Sequence, residues 1–344
     1  MKHYPAFEIL LQREEVPLLD VRTPAEYATG HVPGAVNLPL FTDEERAVVG
    51  TLYVKKGKDE AVEKGLEFVG PKLSGFVKQA KFLAGHNKRI NVYCWRGGMR
   101  SGSMGWLLET AGLTTGILSG GYKAYRTFIR QDFARPLKLV VLGGMTGSGK
   151  TEILHKLADR GEQVLDLEGL ANHKGSAFGA LGLGGQPTNE MFENLTWDVW
   201  SHFNAERVVW VEDESMAIGS VWINSVLYDN LQQALTVDLE IPFDIRVERL
   251  LQEYGHYDTG ILKQLIRKLE RRMGGAKSEE ACAGLENGDI RVAVENVLCY
   301  YDKAYRYGLT RKHKIAKLES DSGNSDDNAT LLQQYVKNEI SEGY

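Results

Sequence analysis

The sequence has too few cysteines for disulfide chemistry. Its three, Cys94, Cys282 and Cys299, are odd in number, widely spaced and without a C-x-x-C pair, so neither a disulfide framework nor a thiolate metal site is indicated. An excess of positive charge is also missing. Forty-one Lys and Arg against 46 Asp and Glu leave a net charge of −5, so any RNA site has to be a local basic patch on an acidic protein. Long apolar runs are absent too: the uncharged stretch Ser215 to Tyr228 is too short and too polar to span a bilayer. The N-terminal MKHYPAFEIL lacks the charged-then-apolar pattern of a signal peptide. A cytoplasmic address with no membrane partner is the expectation. What is present, 43% hydrophobic and 25% charged residues in 344, is ordinary for a globular chain long enough for about two domains.

The first half alternates short strands and helices. VPLLD (16–20) reads as a strand ending on Asp20. Thr23-Pro24-Ala25-Glu26 then reads as a helix start: Thr23 caps, Pro24 fits the first helical position and Glu26 closes a capping box. Gly30 to Pro39 is an ordered turn leading into a short strand. Arg89 to Tyr93 is a strand ending at Cys94, Ser101 to Thr110 a helix, Thr115 to Leu118 a strand and residues 120–130 another helix. Such alternation predicts a parallel α/β sheet, whose ligands bind beyond the carboxyl ends of the strands. Cys94 sits at such an end.

The loop CWRGGMRS (94–101) carries chemistry. Gly97 and Gly98 let the backbone curl so that successive N–H groups converge, and a helix N-terminus closes the nest. Trp95, Met99 and Ser101 complete the anion loop, and Arg96 and Arg100 add positive charge. Such surroundings lower a thiol pKa from about 8.5 to between about 3.5 and 7.5, making Cys94 a nucleophile at neutral pH. Cys282 and Cys299 lie in amphipathic helical sequence and read as structural.

DVRTPAEYATGHVPGAVNLP, CWRGGMRS and LSGGYKAYR together resemble a rhodanese domain, the sulfur-transferase module that carries a persulfide on its cysteine. The likeness covers roughly residues 5 to 130. One detail departs from it. Common rhodanese loops run C-x4-R, whereas Cys94 to Arg100 is C-x5-R, the spacing of related dual-specificity phosphatases. A phosphatase, or a sulfurtransferase coupled to an NTPase, is therefore the alternative reading. Tyr93 stands where such phosphatases usually carry histidine.

The second half opens at about residue 136 with the strand LKLVVL (137–142), which runs into GGMTGSGKT. Gly144-x4-Gly149-Lys150-Thr151 is a Walker A pattern in the right context, strand before and helix after. Gly144, Gly147, Ser148, Gly149, Lys150 and Thr151 are the expected phosphate-binding residues, with the Thr151 hydroxyl placed for Mg²⁺. VVWV (208–211) leads into Glu212, Asp213 and Glu214. Asp166, Glu212 and Asp213 are the candidate acids for a metal, and no metal is assigned with certainty. GSAFGALGLGGQP (175–187) reads as a mobile loop over the phosphate site. The expected fold is thus a rhodanese-like parallel-sheet domain over 1–135 and a P-loop NTPase-like α/β domain over 136–344.

Basic charge gathers late. Lys263, Arg267, Lys268, Arg271 and Arg272 crowd one helix, followed by RKHKIAK (311–317) and the interleaved Tyr300, Tyr301, Tyr305 and Tyr307. Such a patch is the candidate tRNA-binding surface, since phosphate contacts give affinity and rings stack on bases. The last twenty-five residues, acidic and polar, are expected to form a poorly packed tail or a terminal helix.

With NHKGSAFG (172–179) and QPTNEMFEN (186–194) added, the full chain resembles the bacterial tRNA 2-selenouridine synthases. That resemblance implies replacement of sulfur by selenium at C2 of wobble 2-thiouridine in the tRNAs for lysine, glutamate and glutamine. It implies selenophosphate as selenium donor, an enzyme that makes selenophosphate as a partner, and prior S-geranylation from geranyl diphosphate. No tightly bound cofactor is expected. Composition shows none of this.

Overall fold

The computed structural model describes residues 1–341. They form two compact units, one of Met1–Phe133 with Thr188–Asp198, the other of Ala134–Pro187 with the chain from Val199 onward. A single cut at 135/136 therefore does not describe the chain, because residues 188–198 pack with the first unit. The reason is a set of polar staples. Asn194 donates to the Tyr122 hydroxyl at 2.7 Å and to the His31 carbonyl at 2.8 Å, and buried Arg126 pairs with Glu193.

In the first unit β1 (Lys2–Tyr4), β2 (Leu18–Asp20), β3 (Val36–Asn37), β4 (Arg89–Tyr93) and β5 (Thr114–Leu118) form a parallel sheet in the order β1-β5-β4-β2-β3. Ile90 and Val92 of the central strand β4 are fully buried among Leu19, Met104, Leu108 and Ile117. Buried on both faces, such strands are near-continuously apolar, as parallel sheets require. The capping box predicted from Thr23 and Glu26 is present: Thr23 Oγ1 accepts from the Glu26 amide at 3.3 Å, and Glu26 Oε2 accepts from the Thr23 amide at 3.0 Å. Residues 42–84, for which the patterning above gives no element, form the helices Asp43–Lys55, Lys58–Val69 and Leu73–Ala84. Only the last puts large side chains into the core, with Phe76 against the sheet.

In the second unit β6 (Lys138–Gly143), β7 (Gln163–Leu165), β8 (Val208–Glu212), the hairpin β9 (Ala217–Ile218) and β10 (Val221–Trp222), β11 (Leu235–Glu240) and β12 (Lys314–Glu319) follow in chain order. The sheet is parallel, β12-β11-β6-β8-β7, with β6 at its centre. Helices Thr259–Met273, Gly275–Glu286 and Ile290–Leu309 build a satellite core of Leu262, Ile266, Leu269, Leu285 and Val297. Cys282 is buried in it. The C-terminal region is not a loose tail. Its helix Ser325–Ser341 buries Ala329, Leu332 and Val336 against Val140, Leu142 and Val237. The apolar stripe at 329, 332 and 336 has helical spacing, a signal hidden by the acidic composition around it.

Candidate functional site

Cys94 follows β4 directly and is 3% exposed. Its loop is fixed from the neighbouring motif: the Tyr122 amide donates to the Cys94 carbonyl at 2.9 Å, and the Lys123 amide to the Trp95 carbonyl at 3.0 Å. This close approach needs glycine. A Cβ on Gly121, which has φ +61°, would lie 2.3 Å from the Cys94 carbonyl oxygen, and one on Gly97, φ +65°, would lie 2.8 Å from that of Leu118. Gly98 has no such constraint, since its Cβ would meet nothing. Beneath the loop Arg22 is fully buried, ion-paired to Asp20 at 2.6 Å and stacked over Tyr122 with 3.8 Å to the ring centre.

The Cys94 thiol lies 3.2 Å from the Ser101 hydroxyl. Burial alone would push the thiol up. Hydrogen bonds from the Ser101 hydroxyl and from the Ser101 and Arg96 amides, with the Arg100 charge, outweigh burial and hold it below its ordinary range. Arg100 does not stand as an isolated cation. Its guanidinium makes a two-pronged pair with Glu26, at 2.6 and 3.2 Å, so the capping-box carboxylate also aims the arginine. Arg96, Trp95 and Met99 are exposed. A cavity of about 910 Å³ takes in Cys94, Arg96, Gly98, Met99 and Arg100.

The second site follows β6. Helix Lys150–Asp159 begins at Gly149, and Lys150 Nζ donates to the Gly144 carbonyl at 2.6 Å. A cavity of about 1190 Å³ is lined by Gly147, Gly149, Lys150, Thr151, Lys174 and Arg249, among others. This is a concentration of backbone amides and cations at a helix N-terminus, suited to phosphate oxygens. The family model described as the tRNA 2-selenouridine synthase AAA domain matches residues 137–339, and the rhodanese-like domain model matches 6–127. A protein from Sulfurovum sp. (strain NBC37-1) is 36% identical over 93% of this chain and 95% of its own. One from Pseudomonas putida (strain GB-1) is 43% identical over 94% of each. A third, from Bordetella bronchiseptica, is 38% identical over 88% of this chain and 90% of its own. All three carry the name tRNA 2-selenouridine synthase. The chain belongs to the tRNA 2-selenouridine synthase family. Its fold is accordingly a rhodanese-like domain followed by a P-loop domain.

In this family member the acids beside the Walker A loop are not the three expected. Asp166 caps the helix Leu167–Ala171 through the Gly169 amide at 2.7 Å and meets His155 at 3.0 Å. Glu212 is buried, accepts the Glu168 amide at 2.7 Å and is pushed well up by burial and Asp166. Asp213 is paired to Lys312 at 2.6 Å. The carboxylate on the Thr151 hydroxyl is Glu168, at 2.9 Å. Glu168 hydrogen-bonds Glu214, and burial with that facing carboxylate pushes Glu214 up to about 8. Both were within reach of the sequence: Glu168 ends the run QVLDLE, and Glu214 is the third acid after β8.

Sequence reasoning also missed Tyr305. Its hydroxyl donates to Asp238 at 2.6 Å and accepts the Gly144 amide at 2.7 Å, fastening the start of the phosphate loop. Tyr301 accepts the Ala177 amide at 3.0 Å, so two of the four late tyrosines serve this cavity. The glycine-rich segment 175–187 has no regular structure, yet it is anchored by that bond, by buried Phe178 and by Gln186, which donates to the Ala171 and Ile218 carbonyls. On the basic helix, Lys263 pairs with Glu286, and Arg267 with Glu270 and Glu279. Lys268, Arg271 and Arg272 are exposed.

Proposed function

We propose that this chain replaces sulfur by selenium at C2 of wobble 2-thiouridine in the tRNAs for lysine, glutamate and glutamine, in the cytoplasm. The Cys94 loop is the observation that carries the reading. A thiol held below its ordinary range between amides and two arginines is built to meet an anionic chalcogen donor, for which selenophosphate is the candidate. An enzyme that makes selenophosphate is the implied partner. Sulfur on C2 is a poor leaving group. Geranyl diphosphate bound at the Walker A loop would alkylate it, releasing diphosphate. Selenium from selenophosphate then takes the C2 position, geranylthiol departs and the phosphoryl group passes to water. Cys94 serves as nucleophile or selenium carrier, and Arg96 and Arg100 hold the donor.

Lys150 and the amides of Gly147 and Gly149 would grip the diphosphate. Among the described residues no three His, Cys, Asp or Glu side chains form a metal cage. Mg²⁺ needs none, since it binds through one or two carboxylates and substrate phosphates. Thr151, Glu168 and Glu214 would hold it, and it would neutralise charge on the departing diphosphate. The test is incubation of the full chain with 2-thiouridine tRNA, selenophosphate and geranyl diphosphate, followed by mass spectrometry of the digested tRNA. The reading expects 2-selenouridine. Unchanged tRNA with hydrolysis of an aryl phosphate would favour the phosphatase alternative. Turnover of thiosulfate without tRNA would favour a sulfurtransferase.

A further inference from the structure

The helix Asp43–Lys55 buries none of its residues, although it carries Val48, Val49, Leu52, Tyr53 and Val54. Val54 is 84% exposed, and Leu66 on the helix Lys58–Val69 is 65% exposed. Both line the cavity of about 910 Å³ that contains Cys94, together with Phe41, Val49, Val62 and Val69. Its volume falls within the roughly 300–1,000 Å³ of small-molecule sites, which are mostly apolar with a few placed polar groups. Here the polar groups include Arg96 and the Glu26–Arg100 pair close to the thiol. We propose that this cavity seats the aliphatic chain of an S-alkylated substrate, a branched hydrocarbon of the prenyl class, with its sulfur end at Cys94.

Three observations select that occupant. Cys94 is 3% exposed, so a broad macromolecular face would cover the rim without reaching the thiol, whereas a narrow chain reaches it. Met99, 55% exposed, and Trp95, 37% exposed, flank the cysteine and offer polarisable surface to sulfur and to double bonds. The arginines stand beside the thiol, so an anionic donor and an apolar chain meet at one atom without sharing a subsite. Burial of the chain also supplies what the uncovered helix lacks, an apolar partner. The proposal rests on the preceding section in one respect: that reading supplies a substrate carrying such a chain.

The test uses the full chain and iodoacetamide alkylation of Cys94, read by peptide mass spectrometry. Geranyl methyl thioether should slow alkylation by at least about tenfold, the factor that about 1.4 kcal/mol of binding corresponds to. Ethyl methyl thioether at the same concentration should not. Leu66→Asp and Val54→Asp, at exposed positions and each checked by circular dichroism, should lose the protection, and their KM for tRNA carrying S-geranyl-2-thiouridine should rise. No protection of wild type, or equal protection in wild type and both variants, would overturn the proposal. So would a dimer that Leu66→Asp dissociates and that forms without any protection, because the face would then belong to a second copy. The two readings fail separately: protection without selenation supports the cavity and sinks the proposed function, whereas selenation of S-geranyl tRNA without protection does the reverse.

Discussion

Ser101 has one hydroxyl proton and two places to put it. It lies 3.1 Å from the Gly98 carbonyl and 3.2 Å from the Cys94 sulfur. While the sulfur keeps its proton, the hydroxyl is free to donate to Gly98; once the thiolate forms, donating to sulfur stabilises it. Ser101→Ala should therefore raise the midpoint of the pH profile for Cys94 alkylation, and the wild-type midpoint should lie below the ordinary thiol range. A midpoint unmoved by the substitution would assign the effect to the amides alone. Glu214 makes the opposite case. Its folded pKa, about 8, is above the ordinary 4.5, so the folded chain holds the extra proton between those values. Stability from this group is complete below about pH 4.5 and is lost as pH rises through 8. Thermal unfolding should show a midpoint that falls across that window, and Glu214→Gln should flatten the fall. Buried Glu212 contributes a slope of the same sign, so flattening should be partial.

Elements differ in how readable they were. Strand β4, the Cys94 loop and the Walker A loop were legible because each combines an apolar run with glycines at fixed offsets, and local chemistry dictates their geometry. The helices Asp43–Lys55 and Lys58–Val69 were not, because they bury little and so leave no clean apolar stripe in the sequence. The acids at the phosphate loop were misread for a different reason. Asp166, Glu212, Asp213, Glu168 and Glu214 all lie at or near strand ends, and only packing decides which of them turns toward Thr151. RKHKIAK was read as part of a basic patch, but Lys314 to Lys317 lie in edge strand β12, where Lys317 pairs with Glu240 at 2.6 Å. Helix Ser325–Ser341 can be tested directly. Leu332 is fully buried, so Leu332→Ala should cost about 2 to 5 kcal/mol in denaturant unfolding. A loss under about 0.5 kcal/mol, ordinary for surface sites, would mean that the helix is only loosely attached.

Over the whole molecule the charge is −5, so tRNA has to find a local cationic surface. Arg126, Arg130 and Arg135 offer little of it. The first two pair with Glu193, and Arg135 donates to the Trp200 and Phe203 carbonyls. Lys268, Arg271 and Arg272 are exposed and remain the densest candidate group. Replacing these three by glutamine should weaken tRNA binding and lower the salt slope by about two to three units, since each neutralised phosphate adds just under one. Unchanged affinity and slope would place the footprint elsewhere. The central claim is that Cys94 carries the selenium step, and one measurement addresses it most directly: nucleoside mass spectrometry of 2-thiouridine tRNA after incubation of wild type and Cys94→Ser with selenophosphate and geranyl diphosphate. The account predicts 2-selenouridine with wild type, and with Cys94→Ser S-geranyl-2-thiouridine but no selenium, because alkylation needs no protein thiol. Full selenation by Cys94→Ser would contradict it.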